Sequence, residues 1–230
     1  MLPSPCGCGM NRTRLVATNT RMAGMVDDDR QQRARSEDAR SAQGVLDFWF
    51  GEPGTPGAGE RRKAWFAKDL AFDTEIRARF GSLVGAALAG ALDGWAAQVP
   101  TALARVLLLD QFTRNAFRDT AAAFSGDALA LAAARAMCAA GQDLQLPPLQ
   151  RAFAYLPFEH AESLPAQDEA VRLFTALARE DASLQDMLDY AERHRVVIAR
   201  FGRFPHRNEV LGRASTDEER AFLLQPGSRF

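Results

Sequence analysis

Cysteine is scarce in this chain of 230 residues, which contains only three. Cys6 and Cys8 stand too close together in the sequence to pair easily, and Cys138 lies in an alanine-rich stretch typical of helix. An odd number of cysteines without a regular spacing indicates a reducing compartment and speaks against a disulfide-stabilised secreted protein. A Cys-x-Cys pair without a second pair of ligands is weak evidence for a metal site, so we expect neither a metal nor another cofactor.

The sequence also lacks long apolar runs and an excess of one charge. No window approaches the roughly 18 consecutive apolar residues of a membrane span, so we do not expect an integral membrane protein. The formal net charge is −1 and no basic stripe occurs, so neither nucleic acid nor a membrane surface is an expected partner. The three tryptophans, Trp49, Trp65 and Trp95, are expected in the core and not as platforms on which bases stack.

Known catalytic motifs are absent as well. The sequence has no Gly-x-Ser-x-Gly nucleophile motif, no Cys–His signature and no glycine-rich dinucleotide motif after a strand. The glycine-rich segment 51–59 follows a predicted helix and is closed by no Lys-Ser or Lys-Thr pair, so we do not expect a phosphate-binding loop. Motifs alone assign no reaction, and the question whether the protein is an enzyme stays open.

The first 43 residues differ in character from the rest of the chain. They contain no aromatic residue and no sustained apolar periodicity, so they cannot bury enough surface to offset the entropy of ordering. We therefore predict a disordered N-terminal extension over 1–43, a single domain over 44–226 and a short C-terminal tail over 227–230. Internal methionines leave open whether residues 1–43 belong to the natural protein.

Apolar residues recur at three- and four-residue steps through most of this domain, which predicts helices. The predicted helices are one that ends at Gly51 and others at about 60–67, 70–89, 102–112, 126–140, 148–161, 166–180, 184–201 and 216–224. A capping box of Ser215 with Glu218 is expected to open the last one. Because no stretch shows the alternation of a strand, we predict an all-α fold of antiparallel helical hairpins, stacked as a bundle or as a short tetratricopeptide-like array.

At three places in the sequence, charged residues fall on predicted helix faces that should be buried. The first of these places is Asp110. This carboxylate follows three consecutive leucines, 107–109, which can hardly all face solvent. A buried carboxylate needs a partner, and Arg114 stands one turn further on, with Gln111 and Asn115 near the same helix end. These residues form either a structural ion pair that closes the helix or the wall of a polar pocket.

A second such place follows Pro157. The proline removes a backbone donor, so we expect the helix to kink or restart, and Glu159, His160 and Glu162 come directly after it. Their spacing is neither His-Glu-x-x-His nor the Glu-x-x-His of di-iron bundles, so it does not indicate a metal site.

The third place lies at the end of the predicted helix 184–201. His194 falls on the apolar side of this helix, where a satisfied core histidine is the commoner case. Arg203, His206 and Arg207 cluster in the following turn, and Asn208 is predicted to cap a further helix. Guanidinium groups beside exposed helix N–H groups would form an anion-binding site. In the alternative interpretation, the arginines cover helix ends and carbonyl groups.

Five separate parts of the sequence carry a resemblance to a known family. They are VLDFWFG at 45–51, WF at 65–66 with FD at 72–73, LDQFTRN at 109–115, YLPFEH at 155–160 and RFGRFPHRN at 200–208. In this order they resemble the bacterial "domain of unknown function 924" family over about 44–226. The resemblance implies an α-helical fold of the tetratricopeptide-like superfamily and a cytoplasmic location, and it implies no activity. Thr113 stands where the family pattern has proline, so we expect the local turn geometry, and not the fold, to differ.

Three hypotheses about function follow. In the first, the three charged places converge on one concave surface that binds a small anionic ligand or an acidic peptide end through arginine forks. Its ligand-binding residues are Asp110, Gln111, Arg114, Asn115, Glu159, His160, Arg203, His206 and Arg207. In the second, the protein is a hydrolase or lyase in which Glu159 acts as general acid or base with His160 or His206. In the third, it is a tetratricopeptide-like protein-interaction scaffold.

Overall fold

The computed structural model describes residue 1, residues 37–38 and residues 40–229. It divides the chain into two units, Met1–Arg40 and Ser41–Phe230. Most of the predicted extension therefore lies outside the described residues. Within the second unit, residues 41–43 are already helical and Ala42 is buried. The first helix of this unit thus includes the last residues that we had placed in the extension.

The part of the second unit that the structure describes is built from helices and turns, without a strand. Its helices are α1 over 41–50, α2 Leu70–Leu88, α3 Val99–Leu107, α4 Thr113–Ala116, α5 Asp127–Ala139, α6 Pro148–His160, α7 Leu164–Glu180, α8 Gln185–Phe201 and α9 Asp217–Leu223. A π-turn, Leu108–Phe112, joins α3 to α4 without a break in the helical path. The predicted all-α fold is confirmed, whereas the tetratricopeptide-like arrangement stays a prediction.

The packing of these helices brings distant parts of the chain together. α7 packs against both of its sequence neighbours, α6 and α8, and α6 also contacts α3 and α5. The π-turn packs against α2 and α5. Consequently the π-turn, the start of α5 and the end of α6 lie close together in the interior.

An aromatic core holds α1 in place. The Trp49 ring lies 5.8 Å from the Trp65 ring and 5.2 Å from the Phe112 ring, measured between centroids. Trp49, Trp65 and Trp95 are all buried, which confirms the expectation that they belong to the core. Burial of each large apolar side chain stabilises the fold by about 1.5–3 kcal/mol.

Two local predictions were wrong. The predicted helix at about 60–67 is only a 3-10 turn, Lys63–Trp65. The capping box lies one residue later than predicted, because the Thr216 hydroxyl accepts from the Glu219 amide at 3.1 Å and the Glu219 carboxylate accepts from the Thr216 amide at 2.7 Å. The Ser215 hydroxyl instead accepts a hydrogen bond from Asn208, which removes it from the cap.

One stretch of the described chain, Ala121–Ala139, qualifies as a candidate membrane span by length and composition. Core helices of soluble proteins pass the same test, so this is weak evidence for a membrane. The stretch is also not one helix, since a 3-10 turn, Ala121–Phe124, and α5 are separate elements within it.

Candidate functional site

The π-turn places Asp110 in the interior. Leu107, Leu108, Leu109 and Asp110 are all fully buried, so this part of the helical path is covered on every side. The Thr113 hydroxyl donates to the Leu109 carbonyl at 2.7 Å and approaches the Asp110 carbonyl at 3.2 Å. The hydroxyl thus provides a hydrogen-bond donor to backbone carbonyl groups where the wider π-turn interrupts the regular pattern of α-helical hydrogen bonds.

Asp110 forms a close pair with His160 at the end of α6. Its Oδ1 atom lies 2.7 Å from Nδ1 of His160, and its Oδ2 atom accepts a hydrogen bond from the Gln111 amide. Burial raises the pKa of Asp110, but His160 and Arg114 outweigh this effect and hold the pKa well below its usual range. Because an ionised carboxylate only accepts hydrogen bonds, Nδ1 of His160 carries the proton.

His160 itself is neutral at neutral pH. Burial lowers its pKa, and nearby Arg114 lowers it further, against the opposing effect of Asp110. With the proton on Nδ1, the Nε2 atom is a hydrogen-bond acceptor. Nε2 makes no hydrogen bond to any residue that the structure describes, and the side chain is 16% exposed. His160 thus presents a free acceptor near the surface.

A second acid–histidine pair lies beside the first. Nδ1 of His194, on α8, is 3.0 Å from Oε1 of Glu159 and 2.9 Å from the Tyr190 carbonyl. Since a carbonyl oxygen only accepts, Nδ1 of His194 carries a proton. The His160 and His194 rings are 6.4 Å apart between centroids, so the two pairs are adjacent.

Glu159 is a neutral carboxylic acid at neutral pH. Burial, and then the charge of Asp110, raise its pKa to about 8 despite the opposing effect of Arg114. Burial also lowers the pKa of His194 to about 3. Oε1 of Glu159 lies 3.0 Å from Nδ1 of His194, which already carries a proton, so the carboxyl proton is better placed on Oε2. This Oε2 atom is buried and has no hydrogen-bond partner among the described residues.

Two arginines meet at Asp127, the first residue of α5. Its Oδ1 atom accepts from Nη1 of Arg114 at 2.7 Å, and its Oδ2 atom accepts from Nη1 of Arg207 at 3.0 Å. Nη2 of Arg114 lies 3.5 Å from Oδ1 of Asp110 but has no hydrogen bond within the described part of the chain, and the same holds for Nε of Arg207. The Arg207 guanidinium also lies 4.4 Å from the ring centroid of Phe204. Burial, and then Arg114, lower the pKa of Arg207 to about 10, so it remains charged at neutral pH.

These residues define one group, which we call the acid–histidine cluster. Its members are Asp110, Arg114, Asp127, Glu159, His160, His194 and Arg207. Gly126 lets α5 approach the π-turn in this cluster, because a Cβ atom at this position would lie 2.0 Å from the Leu109 carbonyl oxygen. This close approach places Asp127 between the two arginines.

Other residues that we had predicted for the site have different partners. Arg203 binds Glu219 through two hydrogen bonds, of 2.7 and 2.9 Å. Asn115 accepts from Arg118 at 3.3 Å, and Arg118 also binds the buried Asp73. Gln111 takes part only through its hydrogen bond to Asp110.

The segment after α8 does not form the predicted anion site at a helix start. Asn208 follows a 3-10 turn, Pro205–Arg207, and caps no helix N-terminus, which corrects our prediction. Its side chain instead binds Ser215 and Arg213. Glu162 fixes the same segment by accepting from the Phe204 amide at 2.8 Å.

His206 lies at the margin of the cluster. Its ring centroid is 5.6 Å from that of Phe204. Burial, and then the charge of Arg207, lower its pKa to about 4, so it is neutral at neutral pH. His206 is therefore close to Arg207 but belongs to neither acid–histidine pair.

Two members of the cluster were missing from our predicted site. Asp127 stands in the first turn of a helix, where an acidic residue is typical for electrostatic reasons alone. His194 was predicted on the apolar side of α8, and it is indeed buried, but nothing in the sequence around it indicated Glu159 as its neighbour.

Two surface clefts lie away from this cluster. One, of about 600 Å³, is lined by residues of α1, the glycine-rich loop and α2, including Arg61, Arg62 and Arg79. The other, of about 440 Å³, lies between α1 and the starts of α3 and α6. No member of the acid–histidine cluster lines either cleft.

The fold and this cluster define an all-α protein with two adjacent acid–histidine pairs and two arginines joined by one carboxylate. A family model described as "Bacterial protein of unknown function (DUF924)" matches residues 45–227. The chain belongs to this family, as its resemblance predicted. A solved structure of a protein of unknown function from Agrobacterium tumefaciens is 40% identical with a TM-score of 0.72, covering 81% of this chain and 98% of that chain. No curated protein matches the chain.

Proposed function

We propose that the protein binds a small anionic molecule at the acid–histidine cluster, with Arg114 and Arg207 as the groups that hold the anion. The observation that carries this proposal is the set of buried polar atoms without partners. Nη2 of Arg114, Nε of Arg207 and Oε2 of Glu159 all belong to it. Buried polar groups in folded proteins almost always have hydrogen-bond partners, and the oxygens of an oxyanion are suitable acceptors for such donors.

The charges of the cluster favour a small ligand. Asp110 and Asp127 are two carboxylates that balance the two guanidinium groups, and Glu159 is neutral. An anion therefore gains little from net charge and binds through directed hydrogen bonds, for which guanidinium groups are well suited. Arg114 and His160 are 18% and 16% exposed, so a single carboxylate or phosphate group, free or at the end of an acidic peptide, would enter beside them.

The test compares two arginines that lie four residues apart. Isothermal calorimetry would measure binding of acetate, inorganic phosphate, sulfate and a short acidic peptide to the wild type, Arg207→Gln and Arg203→Gln. We expect at least one of these anions to bind, Arg207→Gln to weaken it at least ten-fold, and Arg203→Gln to bind as the wild type does. The control is matched because Arg203 pairs with Glu219 outside the cluster. Equal losses in both variants, or no binding by any of these probes, would contradict the proposal.

A second candidate function is acid–base catalysis, as in a hydrolase or lyase. The observation that favours it is a pair of buried carboxyl groups in opposite states, with Asp110 ionised and Glu159 neutral. Neighbouring carboxyl groups whose pKa values are shifted in opposite directions are typical of sites that use one acid and one base. His160 is the better base of the two histidines considered, because Asp110 fixes its proton on Nδ1 and leaves Nε2 free. Activity screening against small esters and hydroxy acids tests this function, and turnover should disappear in Glu159→Gln.

A further inference from the structure

We infer that the acid–histidine cluster selects an oxyanion that carries a hydroxyl hydrogen, such as hydrogen phosphate or an α-hydroxy acid, over a fully deprotonated one such as sulfate. This inference rests on the proposed function and deepens it, since it names the chemical class of the ligand. It follows from the hydrogen-bonding atoms that the cluster leaves without partners.

Three of these atoms are donors. Nη2 of Arg114 and Nε of Arg207 carry hydrogens under all ordinary conditions. Oε2 of Glu159 carries one because the carboxyl group is neutral and its other oxygen, Oε1, lies 3.0 Å from the protonated Nδ1 of His194. These donors match the oxygen atoms of a carboxylate, phosphate or sulfate equally well, so they do not distinguish among the anions.

The remaining atom, Nε2 of His160, is an acceptor. The ionised Asp110 holds the imidazole proton on Nδ1 at 2.7 Å, so Nε2 has only a lone pair to offer. The side chain of His160 is partly buried beside Arg114, whose positive charge opposes a second proton on the ring. A ligand therefore has to donate a hydrogen bond to Nε2.

Phosphate and sulfate have similar size and shape, but they differ in whether they carry a hydrogen that can be donated to Nε2. At neutral pH, phosphate keeps at least one O–H group, which would donate to Nε2 while its other oxygens accept from the arginines and Glu159. Sulfate has no hydrogen, so one of its oxygen lone pairs would face the lone pair of Nε2. A site with a fixed hydrogen-bond acceptor disfavours a ligand that lacks the matching donor, because a ligand oxygen then displaces water from the acceptor without replacing its hydrogen bond.

The test is a calorimetric comparison of inorganic phosphate with sulfate on the unmodified protein at neutral pH and constant ionic strength. We expect phosphate to bind at least ten-fold more tightly than sulfate, and glycolate to bind more tightly than acetate, which lacks the hydroxyl group. Equal or tighter binding of sulfate, with Arg207→Gln still abolishing it, would overturn this inference and leave the proposed function intact. No binding by any of the four anions would overturn both.

A variant of Asp110 extends the test to the origin of the selectivity. In Asp110→Asn the amide can donate to Nδ1, which moves the imidazole proton to Nε2 and turns this atom into a donor. The preference for phosphate over sulfate should then shrink to less than about three-fold or reverse. An unchanged ten-fold preference in the folded variant would overturn the role given to His160. The comparison on the unmodified protein decides the inference even where this variant does not fold.

Discussion

Nδ1 of His160 lies 2.7 Å from Oδ1 of Asp110, although the two residues are fifty positions apart in the chain. The contact joins the π-turn after α3 to the last residue of α6, so it depends on the packing of α6 against α3 and α5. It fixes which nitrogen of the imidazole carries the proton, and the proposed selectivity depends on that nitrogen.

The first prediction concerns the tautomer of His160. Long-range 1H–15N correlation spectra at neutral pH should show a neutral ring with a protonated Nδ1 and an unprotonated Nε2, because the carboxylate of Asp110 accepts only at Nδ1. The chain contains three histidines, so single substitutions of His194 and His206 assign the signals. A protonated Nε2 at His160 in the free protein would contradict the geometry on which the ligand class rests.

The second prediction concerns the close approach of α5 to the π-turn. Gly126→Ala would bring a Cβ atom to 2.0 Å from the Leu109 carbonyl oxygen, so backbone has to move. We expect a loss of about 1–3 kcal/mol in the free energy of unfolding, measured with urea. Gly85→Ala is the matched control, because nothing lies within 4 Å of its Cβ position in α2. That change should stabilise the protein by about 0.5–1 kcal/mol, and equal effects of the two changes would contradict the packing.

The third prediction concerns the carboxylate that joins the two arginines. Asp127→Asn removes the charge between Arg114 and Arg207 and leaves two nearby guanidinium groups to repel each other. We expect a loss of about 2 kcal/mol or more in the free energy of unfolding, since breaking a largely buried ion pair is costly.

Asp168→Asn is the control for this prediction. Asp168 pairs with Arg195 on the surface, with both side chains about half exposed. An exposed pair contributes about 0–1 kcal/mol, so the loss should be at most that large. A similar loss in the two variants would show that Asp127 has no special role in the cluster.

The helices could be predicted closely from the sequence because the apolar spacing is strong and local. The predicted ranges 70–89, 148–161 and 184–201 differ by one residue or less at each end from α2, α6 and α8. Each of these helices buries one apolar face, so the same residues that create the pattern also form the core. The prediction failed at 60–67, where Trp65 is buried by tertiary packing against Trp49 and not by a helix of its own.

The candidate site was less predictable because its pairings span long distances in the sequence. The choice of Asp110 and Glu159 followed from charged residues on apolar faces, a signal that the sequence contains. Their partners did not follow from it, since Arg207 meets Asp127 across 80 positions. Arg203 and Asn115 have the same chemistry as true members of the cluster, and only the fold directs them to Glu219 and Arg118. The π-turn has no local sequence signal that we could have used.

The last prediction concerns the pH dependence of stability. The pKa of Glu159 rises from 4.5 to about 8 in the folded protein, with burial as its main cause. Below the unfolded pKa, both states hold the proton and the group does not affect folding. Between about pH 4.5 and 8, the unfolded state releases the proton while the folded state keeps it, so the wild type loses stability by up to about 1.4 kcal/mol per pH unit. Above this range the loss is constant.

Glu159→Gln removes this titration while it keeps the shape of the side chain. The free energy of unfolding of the variant, relative to the wild type, should therefore increase steadily from pH 4.5 to 8 and level off beyond. Urea denaturation across this pH range measures the difference in the free energy of unfolding. Glu192→Gln, at an exposed position on α8, is the control. Its free energy of unfolding should differ from that of the wild type by a nearly constant amount. A flat difference for Glu159→Gln would mean that the carboxyl group is ionised in the folded protein, and Oε2 would then carry no proton to donate to a bound anion.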